Sequence, residues 1–269
     1  MPDIAAFLRS VKLPVMPEVA QALIRTLSDD QADVATVTAI IAKDPGLTAT
    51  LLRMANSALF GLSRSVTTLD NAVSVVGTAQ IRARALAICM SNAFVFPPGL
   101  NRLEFWRSSM VCAGYSRWLA AQLGMDEQQA WLSGMMLRLG ELLIAQSLPD
   151  AVVQIEIQPC GPGERWLRER EQTGFDEGQL AAEIAQRWDF PDTIASALRA
   201  SGQPTHHGGT PLATVVHLAA LMTDQVVPPS QLLDHLPFVP LQLLKLDVEH
   251  LRDQVPDPES FSDISMLQD

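Results

Sequence analysis

The sequence predicts an all-α protein, and three observations carry that reading. Apolar residues recur at helical spacing along almost the whole 269-residue chain. No run alternates apolar and polar residues with the period of two that a half-buried strand needs. Prolines, glycines and capping side chains punctuate the periodic stretches at lengths that suit helices.

Pro17 suits the first turn of a helix that places Val19, Leu23, Ile24 and Leu27 on one face. Asp33 is a candidate N-cap for the next helix, which carries Val37, Ile40 and Ile41. It stops ahead of Pro45 because the residue before a proline avoids the α region. A third helix from about Pro45 to Leu59 buries Leu47, Leu51, Met54 and Leu59 and ends at Gly61. Thr68 caps a short helix through Val76, and Gly77 separates it from an apolar helix holding Ile81, Leu86, Ile88 and Met90. About five helices are therefore expected ahead of Phe96-Pro97-Pro98-Gly99, which breaks the pattern and marks a seam between two subdomains.

Beyond the seam, helices at about 102–123 and 127–147 form an antiparallel pair joined by Leu123-Gly124-Met125-Asp126. Ile157-Gln158-Pro159-Cys160-Gly161-Pro162-Gly163 is a second breaker cluster, followed by a charged helix from Glu164 to Gln172. Helices at about 176–188 and 191–200, divided at Phe190-Pro191, lead into a polar loop from Gly202 to Gly209. Pro211 starts the last core helix, which ends near Val226. Helical stretches then run from Gln231 to Leu236 and from Leu241 to Val255, ahead of an acidic tail, Asp257 to Asp269, expected to be partly disordered. The expected organisation is an N-terminal helical subdomain over 1–96, a second over 97–227, and an extension with tail over 228–269. No internal repeat is visible.

Composition narrows the function. A hydrophobic share of 48% supplies ample core. Thirty acidic residues face 19 basic ones, a net charge of −11. Phosphate backbones are bound by clustered cations, so nucleic acid is not an expected partner. The cysteines at 89, 112 and 160 show no CxxC spacing, which points to inert thiols rather than a disulfide framework or zinc cluster. The amino terminus lacks a basic segment followed by an apolar one, and nowhere do about 18 uncharged apolar residues run together. A soluble, cytoplasmic protein with no membrane partner is expected.

Three segments are unusually specific: Leu13-Pro14-Val15-Met16-Pro17-Glu18, the stretch from Asp44-Pro45-Gly46 through Asn56-Ser57 to Phe60-Gly61, and Ala72-Val73-Ser74-Val75-Val76-Gly77. Through them the chain resembles the HDOD family, regulatory modules related to HD-domain metal phosphohydrolases, from about Leu13 to Met222. The resemblance implies a bundle of two packed helical subdomains, HD-domain-like, in a bacterial regulator. It also implies a place for metal ligands. HD enzymes cluster His and Asp from several helices around one or two metal ions, which activate water.

At those places the ligands are missing. A His is expected soon after a Phe-Trp pair, and Phe105-Trp106-Arg107 is followed by Ser108. The eponymous His-Asp pair falls on Leu137 and Arg138 within Gly134-Met135-Met136-Leu137-Arg138-Leu139-Gly140-Glu141; a cation there would repel a metal. A further His falls on Glu177, a His-His pair on Ala200-Ser201, and an Asp on Ala220. Metal-dependent catalysis is accordingly not expected, nor any cofactor. The resemblance implies a non-catalytic signal-transduction module, working through a protein partner or a small ligand.

Other residues have competing readings. Arg138 either points outward or pairs at the surface with Glu141 one turn away, or it bridges to Glu177 in place of the metal, with charged groups within about 4 Å. His206-His207 is either a solvent-exposed pair or a loop-borne return to the old site. His217 fits a core imidazole with one satisfied nitrogen, while His235 and His250 look peripheral. Met110, Met125, Met135 and Met136 suit either core packing or an adaptable partner groove. The groove between the subdomains is the expected place for a contact, with Arg138, Glu177, Arg53, Arg64, Arg82 and Arg84 as candidates. The alternative functions are a phosphohydrolase with displaced ligands and an arginine-based sensor of a cyclic dinucleotide.

Overall fold

Several helix starts in this chain are set by side chains that accept hydrogen bonds from their own first turn. The Thr36 N–H donates to the Asp33 carboxylate at 2.8 Å, the Leu47 N–H to Asp44 at 3.0 Å and the Asn71 N–H to the Thr68 hydroxyl at 3.3 Å. Asn101, Asp126 and Thr210 cap in the same way. Each cap satisfies an amide that the helix itself cannot.

A computed structural model describes residues 4–11, 13–28, 33–57, 65–156, 161, 163–206, 209–262 and 267. The helices run α1 (Ile4–Ser10), α2 (Glu18–Arg25), α3 (Val34–Ile41), α4 (Pro45–Ala55), α5 (Leu69–Val76) and α6 (Thr78–Ala93). There follow α7 (Arg102–Gln122), α8 (Glu127–Leu137), α9 (Leu139–Ser147), α10 (Pro149–Ile155), α11 (Glu164–Thr173) and α12 (Glu177–Arg187). The last are α13 (Asp192–Ala200), α14 (Pro211–Thr223), α15 (Pro229–Leu232), α16 (Phe238–Leu244) and α17 (Val248–Leu251). No strand occurs among the described residues, so the expected all-α class holds.

The chain forms two compact units. The larger comprises Met1–Leu13, Phe96–Gln186 and Asp192–Ser262; the smaller comprises Pro14–Val95, Arg187–Pro191 and Asp263–Asp269. The chain changes unit between Val95 and Phe96, at the Pro-Pro-Gly break. The residues from 228 to 262, the helical extension, lie inside the larger unit.

In the smaller unit α2 to α6 bury Leu23, Ile24, Ile41, Leu51, Ile81 and Leu86. Trp188 shows why Arg187–Pro191 joins it: its indole N–H donates to the Pro14 carbonyl at 3.2 Å and its ring meets Phe94 edge-on at 5.7 Å. In the larger unit α7 packs most extensively on α8 and then on α14. Gly134 permits the first contact, since a Cβ there would lie 2.5 Å from Ser116 Oγ and 2.8 Å from the Cys112 carbonyl oxygen. No single helix among the described residues is long and apolar enough to cross a membrane; α5 and α6 together would be, but they bend by 114°.

Several expected boundaries change. The third helix ends at Ala55 rather than Leu59, because Asn56 ties the chain back on itself. Its amide group donates to the carbonyls of Leu52 and Val66, and its carbonyl accepts the Val66 N–H at 2.7 Å. Leu59 and Gly61 lie outside the described residues. The helix expected over 127–147 is two, α8 and α9, meeting at Arg138. The stretch from Leu241 to Val255 breaks at Lys245, whose left-handed φ of 54° ends α16. The described start of the acidic tail is folded: Asp257 accepts from the Glu259 N–H and opens a 3-10 turn, Pro258–Phe261. Helices α1 and α10 had no sequence signal strong enough to predict them.

Candidate functional site

The break at Arg138 is the starting point. Arg138 keeps right-handed backbone angles, φ −68° and ψ −10°, yet α8 stops before it and α9 starts after it. The corner turns its long side chain inward, and the residue is 2% exposed. Two residues on, Gly140 lets α9 touch the first turn of α12, for a Cβ there would lie 2.0 Å from the Glu177 carbonyl oxygen. That close approach brings Glu177, 1% exposed, alongside the corner.

Arg138 Nη1 lies 3.8 Å from Glu177 Oε2 and 3.9 Å from Glu141 Oε2, and Nη2 donates to the carboxylate of Asp224, at the end of α14. A second guanidinium closes the other side. Arg165 on α11 pairs with Glu156 at 2.8 Å, Glu141 at 3.0 Å, Glu169 at 3.2 Å and Glu177 at 4.0 Å. Glu177 is fixed by two further bonds: the Trp166 indole N–H donates to its Oε1 at 3.0 Å, and its own N–H donates to Glu169 at 2.7 Å. Next to them His217 stacks on Trp166 at 4.8 Å, and its Nδ1 donates to the Ser201 carbonyl at 2.7 Å.

Five carboxyl groups thus surround two guanidiniums, with Glu169 and Glu177 buried, Glu141 half-buried and Glu156 and Asp224 at the exposed rim, and their proton affinities follow. Burial lowers that of Arg138, but Asp224, Glu177 and Glu141 outweigh it and the pKa rises; Arg165 behaves likewise among its four carboxylates. Burial pushes the Glu169 and Glu177 carboxyls up, and each raises the other or is raised by a neighbouring acid. Burial takes His217 down to about 4, against the pull of the Ser201 carbonyl, so its imidazole is neutral at ordinary pH.

A divalent ion does not fit this donor set. The carboxylates that could ligate it are already turned onto guanidiniums, whose charge repels a dication. No group of three or more His, Cys, Asp or Glu among the described residues could hold a metal. Of the positions expected to carry ligands, Ser108 is half-buried on α7, while Leu137 and Ala220 are buried apolar residues on α8 and α14. Ala200 is half-buried at the end of α13, and Ser201 donates its hydroxyl to the Leu198 carbonyl.

Of the two readings of Arg138, the surface pair is corrected: the side chain is enclosed, and Glu141 is one ionic partner among three. The sequence reading missed Asp224, Arg165, Glu169 and Trp166. Asp224 stands one helical turn beyond Ala220, where the family Asp was expected, and that i, i+4 spacing was the available signal. Arg165 and Glu169 share the same spacing in a helix read as a charged surface. His206 is exposed, as are His235 and His250, and His207 lies outside the described residues.

The remaining arginines belong to the smaller unit. Arg84 is buried on α6, Arg82 donates to the Thr26 carbonyl at 2.6 Å, and Arg53 is exposed on α4; Arg64 lies outside the described residues. Met110, Met135 and Met136 are core residues and Met125 is half-buried. Burial pushes the thiols of Cys89 and Cys112 up to about 12, so both are inert; Cys160 lies outside the described residues.

Known proteins agree with this architecture. A solved structure from Shewanella amazonensis SB2B, provisionally named a phosphohydrolase, is 25% identical and superposes with a TM-score of 0.80 over 98% of both chains. One from Marinobacter aquaeolei VT8, provisionally named a signal transduction protein, is 20% identical with a TM-score of 0.78, covering 98% of this chain and 64% of that one. An HDOD domain protein of unknown function from Geobacter sulfurreducens is 17% identical with a TM-score of 0.73 over 96% of both. An uncharacterized protein of Treponema pallidum (strain Nichols) is 20% identical over 190 residues, 70% of this chain, which spans 37% of that relative's length. The HDOD domain profile matches residues 13–204, ending before α14 and so before His217 and Asp224. By that match the chain belongs to the HDOD domain family.

Proposed function

We propose that this HDOD protein is a non-catalytic, cytoplasmic signal-transduction module that acts by binding a protein partner. One observation carries the reading: where the resemblance to HD enzymes calls for a metal-ligating Asp, the chain has Arg138, and its guanidinium is held by Asp224, Glu177 and Glu141. A protein-borne cation standing for a metal ion keeps the helices in place and supplies neither an activated water nor an open coordination position. What is left is a shaped scaffold, which conveys a signal by contact and by shifting populations of helix arrangements.

The test has two arms. Freshly purified protein should contain no stoichiometric iron, manganese or zinc and should turn over neither nucleotides nor cyclic dinucleotides. A pull-down with the intact protein should return a signalling protein. Stoichiometric metal together with turnover would overturn the reading in favour of a phosphohydrolase with displaced ligands, the alternative favoured by the name of the 25% identical Shewanella protein. The arginine-based cyclic-dinucleotide sensor is the weaker alternative, because Arg84 is buried and the Arg138 guanidinium is already ringed by carboxylates. Calorimetry with cyclic dinucleotides should show no heat of binding.

A further inference from the structure

Two guanidiniums face five carboxyl groups around Arg138, and solvent serves chiefly the outer ones, Glu156 and Asp224. Arg138 gives its Nη2 to Asp224, while Arg165 pairs with Glu156, Glu141 and Glu169 at 2.8 to 3.2 Å. Glu169 is served at both oxygens, one by Arg165 Nε and the other by the Glu177 N–H. Glu177 is not. Its Oε1 accepts only from the neutral Trp166 indole, and its Oε2 accepts no hydrogen bond among the described residues. Arg138 Nη1 and Arg165 Nε stand 3.8 and 4.0 Å from that oxygen, too far to donate.

A buried carboxylate oxygen without a donor is costly while it is charged. Glu169, wholly buried, adds a like charge one hydrogen bond away, and Glu141 and Asp224 add two more. The other neighbours give no relief. His217 from α14 is neutral, the Cys112 thiol from α7 is neutral, and Asp176, just ahead of α12, is held by Arg170 at 2.6 Å. Burial pushes the Glu169 and Glu177 carboxyls up, Glu177 to about 7. Such neighbours titrate as a pair.

A donor stands ready for the ionised form. Arg138 Nε is buried and bonds to no acceptor among the described residues. The backbones of α9 and α12 already touch at Gly140, so α9 cannot follow the charge by moving closer. The guanidinium has to turn instead, away from Asp224 at the end of α14. We propose that the Glu169–Glu177 pair holds one proton at neutral pH, and that its release to solvent as the pH rises turns Arg138 from Asp224 to Glu177, making the α8–α9 corner a pH-sensitive switch. This rests on the metal-free, non-catalytic reading and adds a signal that the scaffold takes.

The test is a pH titration of the intact protein by NMR, with glutamate labelled in its side-chain carboxyl and the nitrogens labelled throughout. One carboxyl resonance, absent from Glu177→Gln, should titrate between about pH 6 and 8, well above exposed glutamates at about 4.3. In Glu169→Gln its midpoint should fall by about one pH unit or more, because the like charge has gone. The Trp166 indole N–H, identified by its loss in Trp166→Phe, should shift with the same midpoint, as should the backbone amides of Gly140 and Asp224. All three should stay still in Glu177→Gln. A Glu177 carboxyl that titrates with the exposed glutamates would overturn the proton, and a titration that Gly140 and Asp224 ignore would overturn the switch. Should the variants not fold, the wild type decides: no glutamate carboxyl titrating above about pH 6 sinks the idea. Metal analysis of the same sample separates the two readings. Stoichiometric metal counts against the non-catalytic reading, whereas metal-free protein without the titration counts against the switch alone.

Discussion

Arg138 Nη1 lies 3.8 Å from Glu177 Oε2, and each residue is almost wholly enclosed by protein. Charges so buried are costly to strip of water, and their mutual attraction repays that cost only while both are present. Arg138→Ala should therefore destabilise the protein by about 3–5 kcal/mol, since it takes from the buried Glu177 one of its two cations. Arg138→Met with Glu177→Gln should recover most of the loss. Urea denaturation monitored by tryptophan fluorescence checks both; a double variant no more stable than Arg138→Ala would refute the charge argument.

His217 and Glu177 bias the pH profile in opposite directions. The folded pKa of His217 is depressed to about 4, so between there and about pH 6.5 the unfolded chain binds a proton that the folded one does not. Alone, that makes stability fall as pH drops through the window. The folded Glu177 carboxyl is pushed up by burial, so above about pH 4.3 the folded chain keeps a proton that the unfolded one has released. Alone, that makes stability fall as pH rises. His217→Gln should tilt the stability profile between about pH 4.5 and 6.5 downward with rising pH, by up to about 1.4 kcal/mol per unit relative to wild type, and Glu177→Gln should tilt it upward. Parallel profiles for the three proteins would contradict the assignment.

Gly140→Ala should be harmful although alanine is the better helix former. Its Cβ would meet the backbone of Glu177 rather than a flexible side chain, so α9 or α12 must shift. The expected cost is about 1–3 kcal/mol or more, read as a lower thermal midpoint. The substitution should also loosen the Arg138 cluster, which hydrogen exchange at Glu177 would report.

Asn56→Asp tests the clamp that ends α4. The carboxylate keeps the acceptor for the Val66 N–H but loses the donor shared by the carbonyls of Leu52 and Val66, and sets an anion against both. A loss of about 1–3 kcal/mol is expected. An unchanged denaturation midpoint would show that the clamp is dispensable.

Much of the fold was legible because its punctuation is local. Asp33 and Thr68 were readable as caps since a cap needs only the amides two or three residues ahead. The ends of α4 and α8 were not, because they depend on partners far along the chain: Val66 for Asn56, and Asp224 and Glu177 for Arg138. In the site, the odd residue Arg138 and its tie to Glu177 could be read against the HD pattern. Arg165 could not, because a charged i, i+4 series looks the same whether water or a carboxylate ring faces it.

Arg138 sits at a corner between two helices, and its positive charge is bonded to its own backbone. A guanidinium so placed cannot dissociate, be withdrawn by a chelator or be exchanged for a different ion. The cation at which α8, α9, α12 and α14 meet is consequently inherited with the gene.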